Sequence, residues 1–167
     1  MISERDRLQH FLDQQREAVL AIIDGLDESQ LHTPVLPSGW TPIGLVRHLI
    51  GAEQYWFQQV ADGRTPQLSW DDGIADPPYD PAAPFRTEHS SAAVIARYRR
   101  QCQLSNEVLR SRELDAELVG EPFDWPGEPI TDLRWVALHL IEETARHAGH
   151  LDAARELLDG ATGLGPR

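Results

Sequence analysis

The run Ile141-Glu-Glu-Thr-Ala-Arg-His-Ala-Gly-His-Leu151 decides how the rest of the chain is read. It lies inside a longer segment whose spacing predicts a helix from Thr131-Asp132, where the acid suits a helix N-terminus, to Asp159 just before Gly160. At ~100° per residue, Val136, Leu140, Leu151, Ala154 and Leu158 project within a roughly 90° sector. Glu143 and His147 fall in that same sector, four residues apart and so about one turn from each other. An ionisable pair inside an apolar stripe costs free energy unless something compensates it. Two compensations are open: an ordinary ion pair, which Glu-x-x-x-His satisfies in many helices, or a divalent metal that takes His48 from another helix as a third ligand.

Three further segments carry helical signals. The first opens at Ser3, with Asp6 three residues on as in a capping box; Leu8, Phe11, Leu12, Val19, Ile22 and Ile23 follow, and it stops near Gly25. The second opens at Thr41-Pro42, a capping residue followed by proline at the first helical position. It runs through Leu45, Leu49, Ala52, Trp56 and Val60 to Gly63. The third opens near Thr87 and carries Val94, Ile95, Tyr98, Cys102 and Leu109 to about Arg112. No stretch alternates with period two over several strands. The expected fold is all-α, a four-helix bundle forming one domain over residues 1–160, with a frayed C-terminal tail at 161–167.

The connections are unequal. Residues 26–40 hold Pro34, Pro37 and Gly39. Residues 61–86 form a long Pro/Asp/Gly-rich loop, with Trp70, Tyr79 and Phe85 as apolar anchors of an ordered cover that keeps some mobile part; loops of this length are usually functional or disordered. Residues 113–130 contain three prolines with Phe123 and Trp125, which leaves room for a short extended piece.

Composition excludes several functions. A net charge of −12 and a pI near 4.9 disfavour nucleic acid and anionic membrane surfaces as partners. Charges throughout the first 25 residues argue against a signal peptide, and no apolar run approaches the ~20 residues of a membrane span. A cytoplasmic protein is expected. A single cysteine, Cys102, excludes an internal disulfide and reads as a small core residue. All 15 basic residues are arginine, so there is no Schiff-base lysine and no Walker-type phosphate loop.

The residue types at the marked positions suit a metal. One carboxylate oxygen and two neutral imidazoles are ligands for zinc, nickel, iron(II) or copper(II), and three protein ligands leave a coordination position open. A thiol there would be deprotonated, and a water would have its pKa lowered. His48 taken alone, following Arg47 on the shoulder of its helix, reads as a partly buried structural histidine rather than a ligand. His139 and His150 flank the pair on helix four and are placed at the polar edge of the stripe, beside the ligands rather than among them. His10, His32 and His89 read as solvated, as do Arg47 and Arg146.

Ser38-Gly-Trp-Thr-Pro-Ile-Gly-Leu-Val-Arg-His-Leu-Ile-Gly-Ala-Glu53 resembles a known family. So does the stretch from Leu133-Arg-Trp through Glu142-Glu-Thr-Ala-Arg-His-Ala-Gly-His-Leu-Asp152 to Asp159-Gly-Ala-Thr-Gly163. Both look like the DinB-like superfamily, in the branch related to mycothiol-dependent maleylpyruvate isomerase. The resemblance implies an up-up-down-down bundle with a divalent metal near one end of its core. It also implies one histidine ligand from helix two, matched by His48, and in this branch a Glu-x-x-x-His pair from helix four, matched by Glu143 and His147. His150 falls where many relatives carry glutamine. Isomerase activity does not follow from the resemblance.

The expected function is a metal-dependent transferase or isomerase in which the metal activates a low-molecular-weight thiol such as mycothiol against an electrophilic substrate. Zinc is the first choice of metal, then nickel or iron. The alternatives are a metal-dependent hydrolase using metal-bound water, or a non-enzymatic metal-binding stress protein of the same fold. The resemblance also suggests a homodimer through helix faces.

Overall fold

Each of the four long helices starts on a side-chain cap. The computed structural model describes residues 2–64, 85–122 and 129–163. Within them α1 spans Glu4–Ile23, α2 Glu28–Leu31, α3 Pro42–Glu53, α4 Ser91–Ser111 and α5 Leu133–Asp159. Ser3 Oγ accepts from Asp6 N–H at 3.1 Å, and Asp6 returns the bond to Ser3 N–H at 3.3 Å, completing the box that opens α1. Thr41 Oγ1 accepts from Gly44 N–H to open α3. Asp132 Oδ1 accepts from Trp135 N–H at 2.9 Å to open α5. That helix ends at Gly160, whose φ of 78° is left-handed backbone open to glycine.

Three details differ from the expectation. Helix α4 begins at Ser91, not near Thr87, because Ser90 Oγ caps Ala93 N–H while Thr87 Oγ1 is engaged by His89 N–H in the preceding turn. The stretch 26–40 holds the one-turn helix α2, closed by its own capping box between Asp27 and Gln30 and too short to show periodicity. Helix α3 continues directly into a π-helical stretch, Gln54–Ala61. The apolar positions of this region occur at spacings that both windings accommodate, so the widening left no mark in the pattern.

Ties between helix ends fix the directions. Arg134 at the start of α5 bonds Glu4 at the start of α1 (2.8 Å), and Arg155 near the end of α5 donates to the carbonyls of Ile22 and Asp24 at the end of α1. These two helices therefore run parallel. Arg5 donates to the carbonyl of Arg112 just past α4, so α4 runs against α1. Thr41 meets Phe85 where α3 and α4 begin, and Arg112 meets Asp62 where they end, so those two run together. The order is up-down-down-up, where the resemblance implied up-up-down-down; periodicity within a helix carries no information about its direction. The class is all-α as expected, and no strand forms among the described residues.

The core has two parts. One gathers Val19, Ile22, Ile43, Leu49, Val94, Tyr98 and Leu151; the other gathers Leu12, Phe57, Val108, Leu109, Leu133, Val136 and Leu140. Helix α3 is buried on nearly every side, as the central element. Trp40 and Trp56 belong to these cores, so the chain's own interior takes up part of its large aromatic surface. The extended piece expected in 113–130 is an isolated antiparallel bridge between Glu117 and Asp132. Trp70, Tyr79, Phe123, Trp125 and most of the long loop lie outside the described residues, as does the end of the tail. No described helix is long and apolar enough to cross a membrane.

Candidate metal centre

Helices α3 and α5 run in opposite directions, and this places the second turn of α3 against the middle of α5. His48 Nε2 lies 3.0 Å from Glu143 Oε1, and His147 Nε2 lies 3.0 Å from the same oxygen. The two imidazole rings sit 4.8 Å apart, edge to face. One ligating atom from each of His48, Glu143 and His147 lies within 4.8 Å of the other two. Among the described residues this is the one cluster of three or more such side chains close enough to share an ion. The structure therefore brings together the three residues that the sequence singles out.

The electrostatics follow from that geometry. Burial pushes the Glu143 carboxyl upward, but hydrogen bonds from His147 and His48 outweigh it and hold the group well below the usual carboxylate range. The site thus keeps a carboxylate anion. Since Oε1 accepts from both rings, each imidazole carries its proton on Nε2 in this arrangement. The donor set fits a divalent cation: one anionic oxygen and two nitrogens that become ligands once their protons move to Nδ1. On His147 that second nitrogen meets His150, Nδ1 to Nδ1 at 3.4 Å. His150 is thus a neighbour of His147, and the Trp40 ring lies 6.4 Å from its own.

His139 stands elsewhere. Its ring stacks on Trp135 (5.0 Å between centroids, 21° between planes) and meets Trp56 edge-on at 4.9 Å. Burial in this cluster lowers its pKa, so it is neutral near pH 7, and it is not one of the three converging groups. Cys102 is not poised as a nucleophile: burial and then the Glu53 charge push its thiol upward. His10 is exposed, and Arg146 is also exposed, as expected. His32, expected to be solvated, is half-buried and pairs with Glu28 at 3.2 Å, one turn back across α2.

One neighbour of the site had no signature in the spacing. Phe85 places its ring 4.1 Å from that of His48 and 5.9 Å from that of His147. Its side chain was visible in the sequence only as one apolar anchor among several in the long loop.

An all-helical fold with a His/Glu/His cluster between two antiparallel helices, its two histidines buried, is that of a DinB-like helical protein. The family model described as Mycothiol-S-transferase matches residues 7–160, and the chain belongs to that family. A search among curated proteins returned no match.

Proposed function

We propose that this chain is a metal-dependent S-transferase for a low-molecular-weight thiol, mycothiol being the thiol that the family name implies. The observation that carries this is the convergence of His48, Glu143 and His147 in a chain that matches the family over residues 7–160. Zinc is the first choice for the ion, with nickel and iron as alternatives. When bound, the ion would supply Lewis acidity that favours the thiolate form of an incoming thiol.

The chain's own residues do the remaining work. Glu143 contributes a full negative charge, and His48 and His147 contribute neutral nitrogens, which leaves a net positive charge to attract a thiolate. The two histidines sit on the buried faces of α3 and α5, so the ligands are held by packed helices rather than by loops. In the transfer the thiol sulfur bonds to an electrophilic carbon of the substrate, the displaced group leaves with its electron pair, and the thiol proton passes to solvent. The proposal takes residues 1–160 as one functional domain acting in the cytoplasm, where small thiols are kept reduced.

The test is elemental analysis of the purified protein, followed by conjugation assays pairing mycothiol or cysteine with 1-chloro-2,4-dinitrobenzene. The expected result is about one divalent ion per chain and thiol-dependent conjugation that a chelator abolishes and added metal restores. A protein that takes up no metal, or that conjugates equally well without it, overturns the proposal.

A further inference from the structure

Phe85 is held in place from the start of α3. The Thr41 N–H donates to the Phe85 carbonyl at 3.0 Å, and Arg86 Nε donates to the Gly39 carbonyl at 2.6 Å. The Phe85 carbonyl also lies against Gly44, so close that a Cβ at position 44 would run into it. Gly44 is therefore a glycine for want of room, in the first turn of a helix where glycine otherwise costs stability. One turn later the same helix carries His48 up to the Phe85 ring. The backbone of 85–86 and the position of His48 are thus set by one short stretch, residues 39–48.

The ring has a chemical consequence for the site. It lies against the His48 ring and edge-on to the His147 ring, and His48 and His147 are each only 7% exposed. An apolar wall beside such a cluster limits the access of water and lowers the local dielectric. Water and hydroxide need hydrogen-bond partners that a phenyl ring does not offer, whereas sulfur makes favourable contacts with aromatic rings. We infer that Phe85, held by Thr41 and seated against Gly44, is a specificity-determining wall of the site that favours a thiol sulfur over water at the His48–Glu143–His147 cluster. This inference rests on the metal-and-thiol function proposed above.

The experiment uses the cobalt(II)-loaded protein with N-acetylcysteine as probe thiol. Sulfur-to-cobalt charge-transfer absorption reports thiol binding, and a colorimetric chelator reports metal release. In Phe85→Ala, thiol affinity should fall up to about tenfold, the range of one sulfur–aromatic contact. Metal release should quicken about tenfold as water gains access. Phe85→Leu, which restores apolar bulk without the ring, should recover the release rate but not the full thiol affinity. Gly44→Ala keeps the ring but displaces its backbone, and should follow Phe85→Ala; if it does not fold, the two Phe85 variants decide. Gly149→Ala, where an added Cβ meets nothing within 4 Å, should match the wild type. A purely structural role for Phe85 would lower the melting temperature and leave both readouts unchanged in the folded variants, which overturns the inference alone. A wild type that takes up no cobalt overturns the proposed function and this inference together.

Discussion

Arg16 and Glu53 form a bidentate ion pair inside the bundle, with Arg16 Nε 2.7 Å from Glu53 Oε1 and Nη2 2.6 Å from Oε2. Glu53 is fully buried and Arg16 nearly so. The remaining guanidinium nitrogen, Nη1, donates to Asp13 at 2.6 Å and to Asn106 at 2.7 Å, so the pair ties α1 to α3 and α4 at once. Removing one partner leaves the other charged and buried, which typically costs about 3–5 kcal/mol. Glu53→Ala should therefore lower the urea midpoint severely. Glu53→Leu combined with Arg16→Met should recover much of that loss, because two apolar groups replace two desolvated charges. Equilibrium denaturation of the single and double variants checks this, and a double variant no better than the single contradicts it.

Glu143 is the sharpest probe of the metal centre. Glu143→Gln keeps a comparable helix former at that position but removes the carboxylate proposed as the anionic ligand. Zinc affinity should fall on the order of 100-fold or more, beyond the 10–100-fold expected for a residue that only supports a ligand. His150→Gln should cost no more than that supporting range, about 10–100-fold. Competition with a chelator of known affinity measures both. Full metal retention in Glu143→Gln together with loss in His150→Gln would move the ligand role to His150.

How much of this was legible beforehand varies from residue to residue. The caps at Ser3, Thr41 and Asp132 are local chemistry, so the helices they open could be placed from the sequence. The Glu143–His147 pair was legible because helical spacing is local too; adding His48 needed either the family resemblance or the fold. Arg16 was not legible as an interior residue. It lies on the apolar stripe between Leu12 and Val19, yet its partner is 37 residues away and no periodicity links them. The Phe85–Gly44 contact escaped for the same reason, since a glycine required by crowding looks like any other glycine until its neighbour is placed. Helix directions and the π-helical stretch depend on tertiary packing, which spacing along one segment does not encode.

Cys102 should be inert in the native protein. Its thiol lies 3.8 Å from Glu53 Oε1, and burial followed by that charge raises its pKa above the ordinary value. Ellman's reagent at pH 8 should react slowly with folded protein and rapidly in denaturant. The linkage sign follows from the raised value: the stability contribution is complete below the unfolded thiol's pKa, near 9, and is lost as the pH climbs from there toward the folded value. Cys102→Ala should therefore flatten the alkaline limb of the stability profile. Rapid native labelling at pH 8 would contradict the buried environment.

Asp13 gives the acid counterpart. Burial raises its carboxyl, but hydrogen bonds from Gln9, Arg16 and Asn106 outweigh that and leave the group below its ordinary value of 3.8. A depressed carboxyl contributes stability above the unfolded pKa, and this is lost as the pH falls through the folded one. Metal-free protein should therefore lose stability below about pH 4, where Asp13 begins to take up a proton in the unfolded chain. Because Asp13 is partly exposed, with a side chain 34% accessible, solvent screening keeps its share to about 1 kcal/mol or less. Asp13→Asn should remove that share at neutral pH and make the slope between pH 5 and pH 3 shallower, while Glu53 still holds Arg16. Urea midpoints of wild type and Asp13→Asn at pH 7 and pH 3.5 measure the difference. Equal losses in the two proteins would show that the Asp13–Arg16 contact contributes nothing to the acid limb.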